Sequence, residues 1–571
     1  MTAHTRRHWW RILAGLLALG LIAAACSGSD DSSGNTDSGT DGGSDAAAEG
    51  DPDEGAEPIR GGSITYAREA ETSSPWTPAQ MICDTSCHQA VRGVYDTLTF
   101  VGEDLAPHPY LLESFDSNAT FDEWTFTARE GIEFHDGTAF DADALLDHFE
   151  RMRASTLVGN ALKAINDVEK VDAMTVKITT DTPWVNFPVY FAAQPGYVAS
   201  PTWLAAVDDG TAEATEPVGT GPFEFAEYNA GDNFRMTKNP NYWLLAPDGE
   251  PYPYLDEINF IVQEEDATRA RSLIAGEIDM THTDRGEDVL DFRSRAEAGE
   301  LQAWEMTTRQ GTGYALINVA SDSPVADLDV RRAMAMAIDR DFLAEARYAG
   351  LFEVANGPFS PGTVGYLEDT GFPEFDPDAA REIVDAYEEE NGPIEISYRT
   401  TADPFNLQTV ELIASDLAEV GIDVTLDQTE QGEFIQQAVL GNFEVFTWRN
   451  HGGIDPETER VWWHSETALP IGEIALNFGR FQDDVIDENL QVLRESTDQA
   501  ERTEAAENIN RRFGEQVYNI WAVWAYWVIG YQNDVHGVQT PIVLPDGEPG
   551  LTEGIGANGA IGLPQLWVDP A

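Results

Sequence analysis

The stretch from Tyr314 to Leu343, YALINVASDSPVADLDVRRAMAMAIDRDFL, constrains the fold more than any other part of the chain. Ala315-Leu316-Ile317-Asn318-Val319 is a short apolar run that suits a buried strand ending in a polar residue. Pro324 lies in the loop that follows. Asp327 and Asp329 then stand where a helix begins. Carboxylates there accept from the free N–H groups of the first turn and complement its positive end. Val330, Met334, Ala337 and Ile338 recur at helical spacing and give that helix one apolar face. Asp339-Arg340-Asp341 opens a second helix. A buried strand followed by capped helices is the building unit of an α/β protein. The stretch carries no catalytic group.

The same texture recurs along the chain. Strands are expected at 61–67, 123–129, 173–180, 223–228, 255–262, 278–280, 394–398, 422–426, 443–447 and 520–531. Helices are expected at 141–152, 266–275, 376–389, 406–420 and 498–516. With 571 residues, the chain is too long for one ordinary core, so two or three domains are expected. The net charge of −68 disfavours nucleic acid and anionic membrane surfaces as partners. Lysine occurs only at 163, 170, 177 and 238. Such a field draws in cations, but the simpler reading is solvation in a salty or acidic-proteome setting.

The first 26 residues read as an export signal. Arg6, Arg7 and Arg11 precede a 14-residue apolar core, Ile12 to Ala25, too short to span a bilayer as a stable helix. Leu21-Ile22-Ala23-Ala24-Ala25-Cys26 resembles a bacterial lipobox, with Cys26 as the lipidated residue and Ala23 in the usual Leu position. Thr5-Arg6-Arg7-His8-Trp9-Trp10 loosely resembles a twin-arginine signal. Residues 27–59 then form an acidic Ser/Gly tether. From Ser27 to Pro58 it holds ten acids, no Lys or Arg and no large apolar residue, so it cannot bury enough surface to fold. A disordered tether behind a lipidated cysteine holds a protein body clear of its membrane, and two acyl chains make such anchoring stable.

Few motifs in the body point to chemistry. Neither Gly-x-Ser-x-Gly nor His-Glu-x-x-His occurs. Gly219-Thr220-Gly221-Pro222 lacks the Gly-Lys-Ser/Thr of a phosphate loop and reads as a turn. Cys83 and Cys87 suit a local disulfide in an exported protein; with His88 they also offer three metal ligands without a nearby fourth.

Four landmarks carry a resemblance. Phe134-His-Asp-Gly-Thr-Ala-Phe-Asp-Ala-Asp-Ala144 is the first, and Gly219-Thr-Gly-Pro-Phe223 with Asn239-Pro-Asn-Tyr-Trp243 the second. The opening stretch is the third, and Trp448 with Asp455-Pro456 the fourth. Their order resembles the extracytoplasmic solute-binding proteins of ABC importers, in the peptide/nickel-binding class. That resemblance implies an α/β fold of two periplasmic-binding-protein-like lobes joined by a hinge, with a ligand cleft between them. It implies lobe one at 60–308 plus 510–571, including an extra domain at about 85–215, and lobe two at 309–509. It implies a monomer that is not an enzyme and holds no cofactor or metal. Its partners would be a peptide or other small solute, the permease subunits, and the membrane through its lipid. A sensor that receives the ligand-bound form in place of a permease is the alternative. The residues it implies at the ligand are Trp76, Tyr314, Asn318, Arg399, Trp448, Asn450, His451 and Asp455. Dipeptide-binding members place an Asp three residues after the cleft Trp, where this chain has His451.

Overall fold

The computed structural model describes Asp53, 55–71, 76–82, 85–450, 453–552 and 560–570. The expected signal peptide, Cys26, nearly all of the tether, Cys83 and His451 lie outside these residues. Among the described residues no helix is long and apolar enough to cross a membrane.

Two large mixed sheets organise the body. The first runs, in spatial order, Gln302–Glu305, Val528–Tyr531, Met280–Thr283, Ser63–Arg68, Glu257–Val262, Asn233–Lys238 and Phe223–Asn229. The second runs Glu353–Val354, Asn519–Ala525, Gly311–Ile317, Val445–Asn450, Glu395–Thr401 and Asp423–Thr429. Each sheet has its own core, the first built around Tyr66, Phe234 and Phe260 and the second around Ile317, Ile396 and Ile520. A smaller four-stranded sheet, Leu112–Ser117, Glu123–Ala128, Thr175–Thr180 and Ile165–Lys170, is inserted in the first lobe before Phe223–Asn229. It buries an aromatic layer of its own, including Phe126, Phe149, Phe187 and Phe191.

The chain crosses between the two large sheets twice, at 306–310 and again at 526–527. Residues 520–531 therefore do not form one strand as expected. Asn519–Ala525 pairs with Gly311–Ile317 in the second sheet, whereas Val528–Tyr531 pairs with Met280–Thr283 in the first. The return to the first sheet thus comes later than the expected 510. No Gly or Pro marks the break in Ala525-Tyr526-Trp527-Val528, so the sequence offers no breaker signal there.

The signatures prove to be joints of the scaffold. Asp327 caps the helix Leu328–Ala337, its side chain accepting from the Asp329 N–H at 2.8 Å. Arg331, 4% exposed, donates to the carbonyls of Val325, Ala326, Gln516 and Val517 at 2.7–3.3 Å. It thereby ties that helix to the end of Gln499–Gln516, satisfying carbonyls that a helix terminus leaves unpaired. The first two signatures interlock. His135 contacts the Gly221 carbonyl through Nε2 at 3.0 Å and accepts the Gly219 N–H through Nδ1 at 3.3 Å. A side chain at Gly219 would begin 2.1 Å from the Val94 carbonyl oxygen, so only glycine allows this approach. Thr220, Tyr242 and Trp243 all donate to the buried carboxylate of Asp96, at 3.1, 2.9 and 2.9 Å.

Candidate functional site

A cavity of about 1550 Å³ lies between the two large sheets. Its charged walls come from strand ends and the loops that follow them. Glu69 follows Ser63–Arg68, Asp284 and Arg285 follow Met280–Thr283, and Asp403 follows Glu395–Thr401. These strands lie parallel to a neighbour, and ligands of α/β sheets collect outside the carboxyl ends of such strands. Tyr314, Trp448 and Trp521 contribute aromatic surface. The Tyr314 ring lies 5.0 Å from Trp521, and Trp448 packs 5.5 Å from Phe434 and 5.2 Å from Phe478. Burial raises the Tyr314 hydroxyl well above its ordinary range, so it stays protonated.

Two reciprocal ion pairs cross the gap. Arg285, from the first side, donates to Asp403 of the second at 3.0 Å. Arg449, from the second, donates to Asp284 of the first. Each guanidinium also lies over an aromatic ring at 3.9 Å, Arg285 over Phe405 and Arg449 over Trp527. Burial works to raise Asp284, but Arg449 and Arg285 outweigh it and hold the carboxyl below its usual range. Burial likewise works to lower Arg285, and Asp284 and Asp403 reverse it. Arg285 also donates to Asp266, so its charge is matched on both sides of the gap. The wall therefore offers aromatic faces and fixed, already paired charges. Such a surface is built to enclose and orient a solute.

Of the residues expected at the ligand, Tyr314 and Trp448 line the cavity. Trp76 does not. It is fully buried in the first core, 4.9 Å from Phe234 and 5.5 Å from Tyr228, and its carbonyl accepts the Tyr95 hydroxyl. Asn318 is also fully buried away from the cavity, donating to the carbonyls of Gly441 and Phe443 at 2.9 and 3.2 Å. Arg399 pairs with Asp427, its register partner on the adjacent strand, at 2.6 Å, and does not line the cavity. Its neighbour Tyr398 does, since successive side chains along a strand point to opposite faces. Asp455 turns to Arg502 and caps the short turn Pro456–Glu459. Asn450 ends its strand opposite Thr312, and His451 lies outside the described residues. Cys87 is disulfide-bonded and fully buried in the helix Thr85–Val91.

The residues missed from sequence were Asp284, Arg285, Asp403 and Arg449. In so acidic a chain no single Asp stands out. Asp403-Pro404 carried only the signal of a helix start, which it also is: its carboxylate accepts the Asn406 N–H at 3.1 Å.

Residues 106–468 match the family model described as bacterial extracellular solute-binding proteins, family 5 Middle. Di/tripeptide-binding protein 2 of Pseudomonas aeruginosa is 26% identical over 437 residues, covering 72% of this chain and 79% of that protein. The nickel-binding periplasmic protein of Escherichia coli is 24% identical over 462 residues, covering 78% and 84%. Among solved structures, the periplasmic binding protein DppA of Helicobacter pylori, in complex with the peptide STSA, superposes with a TM-score of 0.79 at 21% identity. It covers 90% of this chain and 99% of that one. The binding protein AgaA of A. tumefaciens, in complex with agropinic acid, gives 0.77 at 23% identity, covering 89% and 99%.

Proposed function

The chain belongs to the bacterial extracellular solute-binding proteins of family 5, and on that premise we propose that it is the lipid-anchored receptor of an ABC importer. It captures a peptide-like solute between its lobes and presents the closed form to a permease, acting as a monomer. The observation that carries this reading is the cavity. At about 1550 Å³ it exceeds the range of roughly 300–1,000 Å³ common for drug-sized ligands, leaving room for a short peptide. Relatives named for di- and tripeptides favour the same class. Tyr314 and Trp448 supply apolar walls, with Asn450 and His451 supplying polar contacts. Following the sheets, lobe one comprises 60–305 and the segment from 528, and lobe two 311–525. Cys26 carries the lipid, and Cys83 is the disulfide partner of Cys87.

Native mass spectrometry of protein purified from its own host tests the ligand class. A bound peptide is expected; a nickel chelate or a sugar-derived solute overturns the peptide assignment. For the anchor, Cys26→Ser is expected to release the protein from the membrane fraction, and full retention refutes lipidation as its tether.

A further inference from the structure

Asp455, Glu457, Trp184 and Asn186 do not line the cavity, but Ile454 and Tyr190 beside them do, and together they form a second meeting of the two lobes at its edge. The segment Trp184–Tyr190 leaves the small inserted sheet of the first lobe. The Val185 N–H donates to the carbonyl of Arg494 at 2.8 Å. The Trp184 indole N–H reaches Glu457 Oε2 at 3.3 Å, and the Tyr190 hydroxyl donates to the Glu457 carbonyl at 3.2 Å. Asn186 donates through Nδ2 to the Asp455 carboxylate. The Arg494 guanidinium lies 3.9 Å from the centre of the Trp184 ring. Ile454 adds an apolar contact against Val101, Ala192 and Leu551 of the first lobe. Trp184 and Glu457 are both 0% exposed.

We propose that Trp184–Tyr190 and Asp455–Glu457, with Arg494, form an interlobe latch that sets the closed population from the edge of the cavity. The allocation of partners carries the argument. Within the second lobe, Glu457 holds Arg494 at 2.8 Å and Asp455 holds Arg502 at 2.5 Å. When the lobes part, neither carboxylate loses its cation. The groups that lose partners are one backbone N–H, one indole N–H, one amide and one hydroxyl, all neutral and all able to take water once uncovered. Parting a buried ion pair leaves an uncompensated charge and is costly; parting this interface is not. The interface is therefore tight when closed and separable when open. Contacts made only in the closed form raise its population, and a ligand that needs the closed form binds in proportion to that population.

The test needs no ligand. Asn186→Asp sets a carboxylate against Asp455 with almost no change of shape, and like charges in contact disfavour one another. Hydrogen–deuterium exchange on the full chain at pH 7.5 reads the Val185 amide. The wild type is expected to protect it. Asn186→Asp is expected to speed its exchange about tenfold while the strands Glu123–Ala128 and Thr175–Thr180 stay protected. The double variant Asn186→Asp/Asp455→Asn reverses the donor and acceptor and is expected to restore protection. An unprotected Val185 in the wild type, no change in Asn186→Asp, or equal loss of protection across the inserted sheet would each overturn the latch.

Discussion

Asp96→Asn gives a sharp energetic test of the scaffold. The Asp96 carboxyl is 4% exposed and accepts from Tyr242 and Trp243 at 2.9 Å each and from Thr220 at 3.1 Å. Burial pushes its pKa up from the ordinary 3.8 to about 6, and the hydrogen bonds from Trp243, Tyr242 and Thr220 restrain the rise. Because the folded value lies above the unfolded one, the folded state binds more protons between them. The group's stabilisation is fully present below about pH 4 and is lost as pH rises through about 6. A shift of two units corresponds to about 3 kcal/mol. Asparagine mimics the neutral form. Its amide can face Tyr242, whose hydroxyl then turns to donate to Tyr110 at 2.9 Å, while its oxygen keeps Trp243 and Thr220. Urea unfolding is expected to find Asp96→Asn more stable than wild type by about 1–3 kcal/mol at pH 7.5, with the difference shrinking as pH falls through 6 and vanishing only below the unfolded value of 3.8. Comparing the two proteins cancels the general relief of self-repulsion that acid brings to a chain of net charge −68. A variant less stable than wild type at pH 7.5, or a difference independent of pH, refutes the reasoning.

Three further outcomes follow from the same contacts. Trp448→Ala removes a cavity wall and is expected to weaken binding of the solute recovered from the native protein by about tenfold or more, about 1.4 kcal/mol by titration calorimetry. Asn318→Ala leaves the buried carbonyls of Gly441 and Phe443 without their donor and is expected to cost about 2–3 kcal/mol in urea unfolding, with the affinity for that solute unchanged. Gly219→Ala drives a methyl group into the Val94 carbonyl and is expected to destabilise the first lobe by about 3 kcal/mol or more in the same assay.

Two sets of contacts bridge the lobes in this architecture. The Arg285–Asp403 and Arg449–Asp284 pairs bridge the lobes at the cavity itself, so a solute entering there meets charges already satisfied. The Trp184–Glu457 contact bridges them at its edge.

Much of the architecture was legible from the amino-acid order. The alternation in Glu395–Thr401, the Asp327 cap and the apolar face of Leu328–Ala337 follow from local periodicity and capping chemistry. The four landmarks were legible too, and with them the family and the two-lobed fold. Their roles were not. Asn318, Arg331, Thr220 and Trp243 are conspicuous polar or aromatic residues, and each proves to hold the scaffold through partners distant in the chain. The resemblance implied Trp76 and Asp455 at the ligand, and packing placed one in a core and the other against Arg502. Residues 520–531 show the limit most plainly. Their apolar content determined burial in a strand. Only long-range pairing decided that Asn519–Ala525 joins one sheet and Val528–Tyr531 the other, because strand propensity carries no record of which edge a strand will meet.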